Sequence, residues 1–332
     1  MPDPTPDISI VVVSHRRTSV VACVEAIVTS AAEMSAWEVV VVADYPVDTL
    51  QQRFARIRWI YTPERRIASK RNIGIRAARA PLCAFTDDDC VVDRQWVFRA
   101  CAAMQHHEGL PGDHRDDDAC AGIEGKTVIE PDPAAKGGQY RDYARLETRG
   151  YRTNNIVYRR SVLERVGLFD ERFAFQHEDI DLALRIMAAG YRIGYDQHMR
   201  VRHVFRNEPW ELVKNCLRRR YDVVLRAKHP QWYRRHRGVA IPPRIGFMGL
   251  LHLGAITVGS MFPRTLPLLV CADCLAAAVL ALGRTGIPPR RGGHFIAQWL
   301  SYLASPFVIA AALAYGHIVF TSQRSSTRNL YI

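Results

Sequence analysis

The 332-residue chain predicts an α/β fold, a mostly parallel and doubly wound sheet, followed by apolar helices. Three observations carry this expectation. The near-continuous β-branched runs Ile8–Ser14 and Trp37–Ala43 read as strands buried on both faces. Helix-period and strand segments then alternate as strand, helix, strand, strand, helix, strand, joined by short links. Beyond residue 244 charge nearly vanishes: 245–262 and 295–320 hold no Asp, Glu, Lys or Arg, and 265–282 holds only Asp273.

In chain order, the first strand breaks at the polar turn His15-Arg16-Arg17-Thr18, and Ser19 to Ala31 has helical spacing of Val20, Val24, Ile27 and Val28. After the second strand, residues 57–61 predict a weaker third. Ala68 to Ala80 predicts a helix rich in Arg and Lys, and 82–86 a short buried strand. Residues 91–110 read as a helix, 105–120 as a polar loop, and Gly122–Ile129 as a strand. Residues 130–152 read as irregular or a short helix, able to form a mobile active-site loop. Asn154–Tyr158 reads as a strand, Arg160–Val166 as a helix stopped by Gly167, and 168–173 as a loop. Ile180, Ala183, Leu184 and Met187 mark a helix that ends at Gly190. Strands at Tyr191–Tyr195 and Met199–Val204 follow, and then a basic helix from Trp210 to Lys228.

The chemistry concentrates where Asp87, Asp88 and Asp89 follow the apolar run Pro81–Phe85. Acids there lie at a strand's C-terminal end, the edge at which open α/β sheets bind ligands. Three adjacent carboxylates repel one another unless a cation sits among them, and hard oxygen donors suit Mg²⁺ or Mn²⁺ together with a diphosphate. A second triple acid, Asp116-Asp117-Asp118, has no strand before it and reads as a surface loop. No Gly-rich phosphate loop follows the first strand, which argues against a dehydrogenase or P-loop enzyme. Diphosphate charge would then fall to a metal and to Lys70, Arg71 and Asn72. Asp44, ending the second strand, is either a base- or ribose-binding acid or a solvated loop acid. Glu178, Asp179 and Asp181 crowd one helix start, more acids than capping needs, and a carboxylate kept ionised by the helix dipole can act as a general base. His203 could complete a metal shell with the distant Asp cluster.

The formal net charge of +12 is uneven. Residues 1–203 carry 28 Lys/Arg against 29 Asp/Glu, 204–244 carry 11 against 3, and 245–332 carry 6 against 1. A basic belt beside apolar runs of about 17–25 residues favours anionic membrane lipid over nucleic acid. The runs are placed at about 245–262, 265–282 and 296–320, after a basic linker over 231–244. Arg284, Arg290 and Arg291 between the second and third runs fit a cytoplasmic loop. Residues 1–7 are polar and proline-rich, unlike a secretory signal, and 8 scattered Cys suit a reducing compartment. Cys271 and Cys274 have C-x-x-C spacing inside an apolar run with no second pair, which argues against a zinc or redox site there.

Six stretches together resemble family 2 glycosyltransferases of the GT-A fold: the opening strand, Ala68–Gly74, Phe85–Cys90 with Trp96 after it, Asn154–Arg160, Gly167–Phe173 and Glu178–Leu182. The resemblance spans about residues 8–230, which become the transferase domain 1–230, with 245–332 outside it. It implies a nucleotide-diphosphate-sugar donor, inversion at the anomeric carbon and a glycan or lipid-linked acceptor, in cell-surface glycan or glycolipid synthesis. By resemblance, Asp89 is a ligand of Mn²⁺ or Mg²⁺, Asp87 lies nearer the ribose and shares the metal, and Asp88 is the middle acid. Asp44 meets the nucleobase or ribose, and Arg71 and Asn72 form a donor-site pair, with Ser14 and Lys70 on the same donor side. Asp179 matches the base on the acceptor hydroxyl, with Glu178 beside it, and His203 the metal- or diphosphate-contacting histidine. Asn155, Asp181, Arg219 and Tyr221 fall on the acceptor or diphosphate side. Where the family often has Asp-Asp-Gly-Ser, this chain has Ala43-Asp44-Tyr45-Pro46, and no Gln-x-x-Arg-Trp motif of processive polymerases occurs, which favours transfer of one sugar. The expected location is the cell inner membrane with the catalytic domain on the cytoplasmic side. Two other readings account for less. A sugar-1-phosphate nucleotidyltransferase needs a Gly-rich, Lys-bearing loop after the first strand, and a non-catalytic basic membrane module binding lipid or nucleic acid leaves both acidic clusters unexplained.

Overall fold

The computed structural model describes residues 5–106, 120–130, 140, 142, 144–204, 208–236, 241–285 and 292–327. The expected surface loop at Asp116–Asp118, most of 130–143, and Arg290 and Arg291 lie outside these residues. The chain forms two compact units: one made of 1–131 and 144–205, the other of 132–143 and 206–332.

The first unit is an α/β sandwich around one eight-stranded sheet. Its strands are β1 (Ile8–Ser14), β2 (Trp37–Ala43), β3 (Arg58–Tyr61), β4 (Leu82–Asp87), β5 (Cys90–Val92), β6 (Cys120–Glu130), β7 (Asn155–Arg159) and β8 (Arg192–Val204). Their order in space is β3-β2-β1-β4-β7-β6-β8-β5. β1 runs parallel to β2 and β4, β2 to β3, and β6 to β8, while β7 is antiparallel to both neighbours and β5 to β8. The helices of this unit are α1 (Arg17–Ser30), α2 (Asp48–Arg53), α3 (Ile67–Ala77), α4 (Trp96–His106), α5 (Arg160–Arg165) and α6 (Glu178–Ala188).

The β-branched runs are continuous because both faces of the sheet are covered. Ile8, Ile10 and Val12 of β1 pack with Val20, Val24 and Ile27 of α1 and with Trp96 and Met104 of α4. Val11 points the other way, into a second core with Ile75 of α3, Phe85, Leu163 of α5 and Leu182 and Ile186 of α6. The period of two along a strand thus sorts one apolar run into two cores. Gly74 lets α3 approach β1 closely, since a Cβ there would lie 2.3 Å from Val11 Cγ1.

Four expectations change in detail. The predicted helix over 91–110 begins only at Trp96, because Val91 and Val92 pair with Arg202 and Val201 of β8. The two strands expected over 191–204 are one, β8, with a register shift that pairs Asp196 with Gly125 but Arg200 with Lys126. Gly125 permits this irregularity, as a Cβ on it would lie 2.1 Å from Met199 O. The single basic helix becomes α7 (Glu211–Arg218) and α8 (Arg220–Lys228), divided at Arg219 by two i→i−3 bonds, Arg219 N to Cys216 O and Asp222 N to Arg219 O. Part of the expected linker is helical too, as α9 (Pro230–His236).

The second unit contains α7, α8, α9 and three long helices, α10 (Pro243–Met261), α11 (Leu266–Thr285) and α12 (Gly292–Thr327). All three are long and apolar enough to cross a membrane. Their apolar side chains are largely outward, as with Leu250, Leu253, Leu268, Leu275, Phe307 and Ile318, while Met248, Ala277, Ala281, Tyr302 and Ile309 pack inward with Leu212 and Cys216 of α7. An outward apolar surface of this extent suits lipid rather than water.

Candidate active site

The parallel pairing of β1 with β2 and β4 brings three strand ends to one edge of the sheet. Asp44, Ser14 and the triple acid therefore meet by topology, although they are far apart in sequence.

Asp88 is buried, and its Oδ2 accepts hydrogen bonds from Ser14 Oγ (2.8 Å), His15 N (2.9 Å) and Arg16 N (2.9 Å). It holds the turn after β1. Ser14 Oγ also meets Tyr45 Oη at 2.6 Å. Asp44 Oδ2 lies 2.8 Å from His15 Nδ1 and 3.6 Å from Lys70 Nζ. Burial alone would raise the pKa of Asp44, but the His15 hydrogen bond and the Lys70 charge outweigh burial and hold it below the usual Asp range. Lys70 is wholly buried and donates to Ser14 O at 2.7 Å. Burial pushes its pKa down to about 8, against the attraction of Asp44 and Asp88.

Arg71 bridges the two acidic clusters. One arm of its guanidinium reaches Asp87 Oδ1 at 3.0 Å and the other Glu178 Oε1 at 2.7 Å. Burial disfavours its charge, yet Asp87 and Glu178 outweigh burial and raise its pKa further. Asn72 faces elsewhere: its amide donates to Phe169 O and Glu171 Oε1, and its Oδ1 accepts from Phe169 N, each at 2.9 Å. It clips the loop before α6 to α3.

At the start of α6, the second carboxylate oxygen of Glu178 is buried without a hydrogen-bond partner among the described residues. Asp179 is partly buried, and its Oδ1 accepts from Ile180 N at 2.7 Å. Burial and the charge of Glu178 push its pKa up to about 7, against Arg71 and the Ile180 N–H. Asp181 is wholly buried and paired with Arg185 Nε at 2.9 Å, and Arg185 also holds Leu168 O at 2.6 Å. The residue before α6, His177, adopts a left-handed φ of 74°.

Asp89 and His203 meet: Oδ1 of Asp89 lies 3.5 Å from His203 Nε2, and Arg16 reaches Oδ2 at 3.4 Å. His203 Nδ1 lies 3.2 Å from Val204 O, a carbonyl that can only accept. The proton therefore sits on Nδ1, and in a neutral ring Nε2 turns a lone pair toward a carboxylate oxygen. Cys90 completes a group of three whose ligand atoms all lie within 4.8 Å of one another. Burial, then the charges of Asp87 and Asp89, push the Cys90 thiol pKa well above its ordinary value. A carboxylate oxygen suits Mn²⁺ or Mg²⁺, and an imidazole nitrogen suits a transition-metal ion, so the pair fits Mn²⁺ better than Mg²⁺. Asp87 does not belong to this group, since its carboxylate is held on Arg71.

Three further residues named from sequence have their contacts outside the strand-end cluster. Both ends of the Asn155 amide are engaged, Oδ1 by Trp96 Nε1 at 2.8 Å and Nδ2 by Met199 O at 2.9 Å. Arg219 and Tyr221 belong to the second unit, where Arg219 pairs with Asp222 at 2.8 Å and Tyr221 is buried against Phe320. Sequence reading passed over His15 and Arg16, which by following β1 directly share its edge. It also passed over Glu124, a buried acid inside the apolar β6, which accepts Gly150 N at 3.0 Å and Arg152 N at 3.2 Å and so shapes the loop before β7.

The profile of the family described as Glycosyl transferase family 2 matches residues 9–167, and that of Glycosyltransferase like family 2 matches 139–222. Over residues 9–222 this chain belongs to glycosyltransferase family 2, and the α/β unit is its GT-A-type transferase fold. No curated protein matches the chain.

Proposed function

We propose that this protein is an inverting glycosyltransferase that moves one sugar from a nucleotide-diphosphate-sugar donor to an acceptor hydroxyl. The observation that carries this reading is the Arg71 bridge, which ties the acids at the end of β4 to the acids that open α6. Donor and acceptor chemistry then share one strand edge. In the direct displacement, the acceptor oxygen forms a bond to the anomeric carbon as the bond from that carbon to the diphosphate breaks. The hydroxyl proton passes to Asp179, and the nucleoside diphosphate leaves.

Each residue has a task in this reading. Asp44, oriented by His15 and Lys70, receives the nucleoside. Asp88 acts through the turn it holds, which presents the His15 and Arg16 side chains. Asp89 and His203 would hold a divalent cation, and the chemistry such an ion supplies when bound is neutralisation of diphosphate charge. Arg16 and Arg71 add positive charge at the same edge, an electrostatic contribution to leaving-group stabilisation. Glu178 fixes Arg71 beside Asp179.

The acceptor in this reading is a membrane-proximal or lipid-linked glycan. The three apolar helices and the excess of Lys and Arg over 204–244 support attachment to an anionic inner-membrane face, with the transferase unit on the cytoplasmic side.

A donor screen tests the proposal. Full-length protein in detergent is mixed with common nucleotide sugars and Mn²⁺, Mg²⁺ or EDTA, and released nucleoside diphosphate is measured. Metal-dependent release from one donor, lost in Asp89→Ala, is expected. Asp179→Asn should keep nucleoside diphosphate binding and lower turnover by about 10²–10⁴. Unchanged turnover in that variant removes Asp179 as the base.

A further inference from the structure

We propose that Cys90 joins Asp89 and His203 in a site for a thiophilic divalent cation of the Zn²⁺ class, overlapping the position that serves Mn²⁺ or Mg²⁺. Its location rests on the metal reading above, but its test does not require glycosyl transfer.

The register carries the argument. Cys90 and His203 are directly opposed across the antiparallel β5–β8 pair, so their side chains stand beside each other on one face of the sheet. Asp89 immediately precedes β5, and Val204 N donates to the main-chain carbonyl of Asp89 at 3.2 Å, which pins the Asp89 backbone to the end of β8. Thiol sulfur, carboxylate oxygen and imidazole nitrogen thus converge from three fixed backbone positions to within 4.8 Å of one another. Ligand atoms around a tetrahedral Zn²⁺ stand about 3.3–3.8 Å apart, given bonds of about 2.0–2.3 Å. A side-chain adjustment of about an ångström closes the group on such an ion. The Nδ1 proton of His203, directed at Val204 O, keeps Nε2 as the ligand nitrogen.

Depth orders the donors. Cys90 is fully buried, while the side chains of Asp89 and His203 are 16 % and 12 % exposed. A cation entering from solvent meets the carboxylate and imidazole first and finds the sulfur behind them. Hard cations stop short of the sulfur, because Mg²⁺ and Mn²⁺ prefer carboxylate, carbonyl and water oxygen. A thiophilic cation goes one donor deeper: the metal–sulfur bond forms as the S–H proton leaves to buffer, with no change of oxidation state. Bound so, it occupies Asp89 and His203 together and displaces the hard ion.

Cobalt is the probe, because a thiolate bound to Co²⁺ gives a near-ultraviolet charge-transfer band that oxygen and nitrogen ligands do not. The full chain in detergent carries Cys271→Ser and Cys274→Ser, which removes the exposed Cys271 and its i+3 neighbour as competing ligands. The expected result is a band that saturates near one equivalent of Co²⁺, is removed by Zn²⁺, and is lost in Cys90→Ser and in His203→Ala. The ratio of Zn²⁺ to Mn²⁺ affinity, read by competition, should fall at least about tenfold in Cys90→Ser. Cys90→Ala serves as the second variant if the serine hydroxyl disturbs the buried position. Cobalt binding without the band, a band that survives both Cys90 variants, or no cobalt binding would each overturn the site. Absence of turnover with any donor would instead count against the transferase reading and leave the cobalt result standing.

Discussion

Asp179 and Glu178 are neighbours in different electrostatic environments. Glu178 is ion-paired with Arg71, whereas burial and the adjacent Glu178 charge raise Asp179 to about 7. A base must be ionised to accept a proton, so activity should rise with pH through a limb near 7. Glu178→Gln removes the neighbouring negative charge and frees Arg71, and both changes favour ionised Asp179. The limb of kcat/KM should therefore move to lower pH in this variant, whatever happens to the plateau. A limb that stays in place or moves upward would show that the titrating group is not Asp179. The same shift has a stability consequence. Between the ordinary Asp pKa and 7 the folded chain binds more protons than the unfolded one, so this residue destabilises the fold as pH rises through that window. Asp179→Asn should flatten that dependence in thermal unfolding followed against pH.

Among elements, the pairing of α3 with the loop before α6 governs how the two halves of the site meet. Asn72 supplies three bonds to Phe169 and Glu171, and Ser69 Oγ adds a fourth to Glu171 at 2.8 Å. Asn72→Ala leaves the buried N–H and C=O of Phe169 without their partner, a loss of about 1–3 kcal/mol. The expected readout is a lower Tm for the transferase unit, with weaker nucleoside diphosphate binding only in proportion to the unfolded fraction. A large loss of nucleotide affinity at unchanged Tm would mean that Asn72 touches the donor directly. Asp181 and Arg185 brace the other side of the same loop, which explains why a third acid opens α6 beyond what capping needs.

On the scale of the whole molecule, each unit has its own polar logic. In the membrane-type unit, His252 of α10 lies 3.0 Å from Asp273 of α11, and its Nε2 meets Leu303 O of α12 at 2.9 Å. Trp299 Nε1 donates to Cys274 O at 2.9 Å. Pro306 lacks the N–H that would bond Tyr302 O, and Ser305 Oγ fills that place at 3.0 Å. Polar groups inside an apolar bundle must find partners there, and this set links all three helices. Removing one member of a buried pair strands the other. Asp273→Leu or His252→Leu alone should lower stability in detergent by about 3 kcal/mol, and the double variant by less. Equal losses in single and double variants would show that the two residues do not act as a pair.

The sequence by itself determined what depends on local pattern. The β-branched runs imply a sheet covered on both faces, the nearly charge-free stretches imply three long apolar helices, and the spaced motifs imply family 2 glycosyltransferase chemistry. Those features survive translation along the chain, because each is set by periodicity or by contiguous residues. Only the tertiary structure decided which acids face which partners. Asp87, Asp88 and Asp89 are adjacent in sequence, yet they turn to Arg71, to the β1 turn and to His203. Arg71 and Asn72 are adjacent as well, yet one bridges the site and the other clips a loop. Cys90 and His203 become neighbours only through the register of β5 with β8, across 113 positions of chain. Direction and register are properties of pairing between distant segments, and no local pattern encodes them.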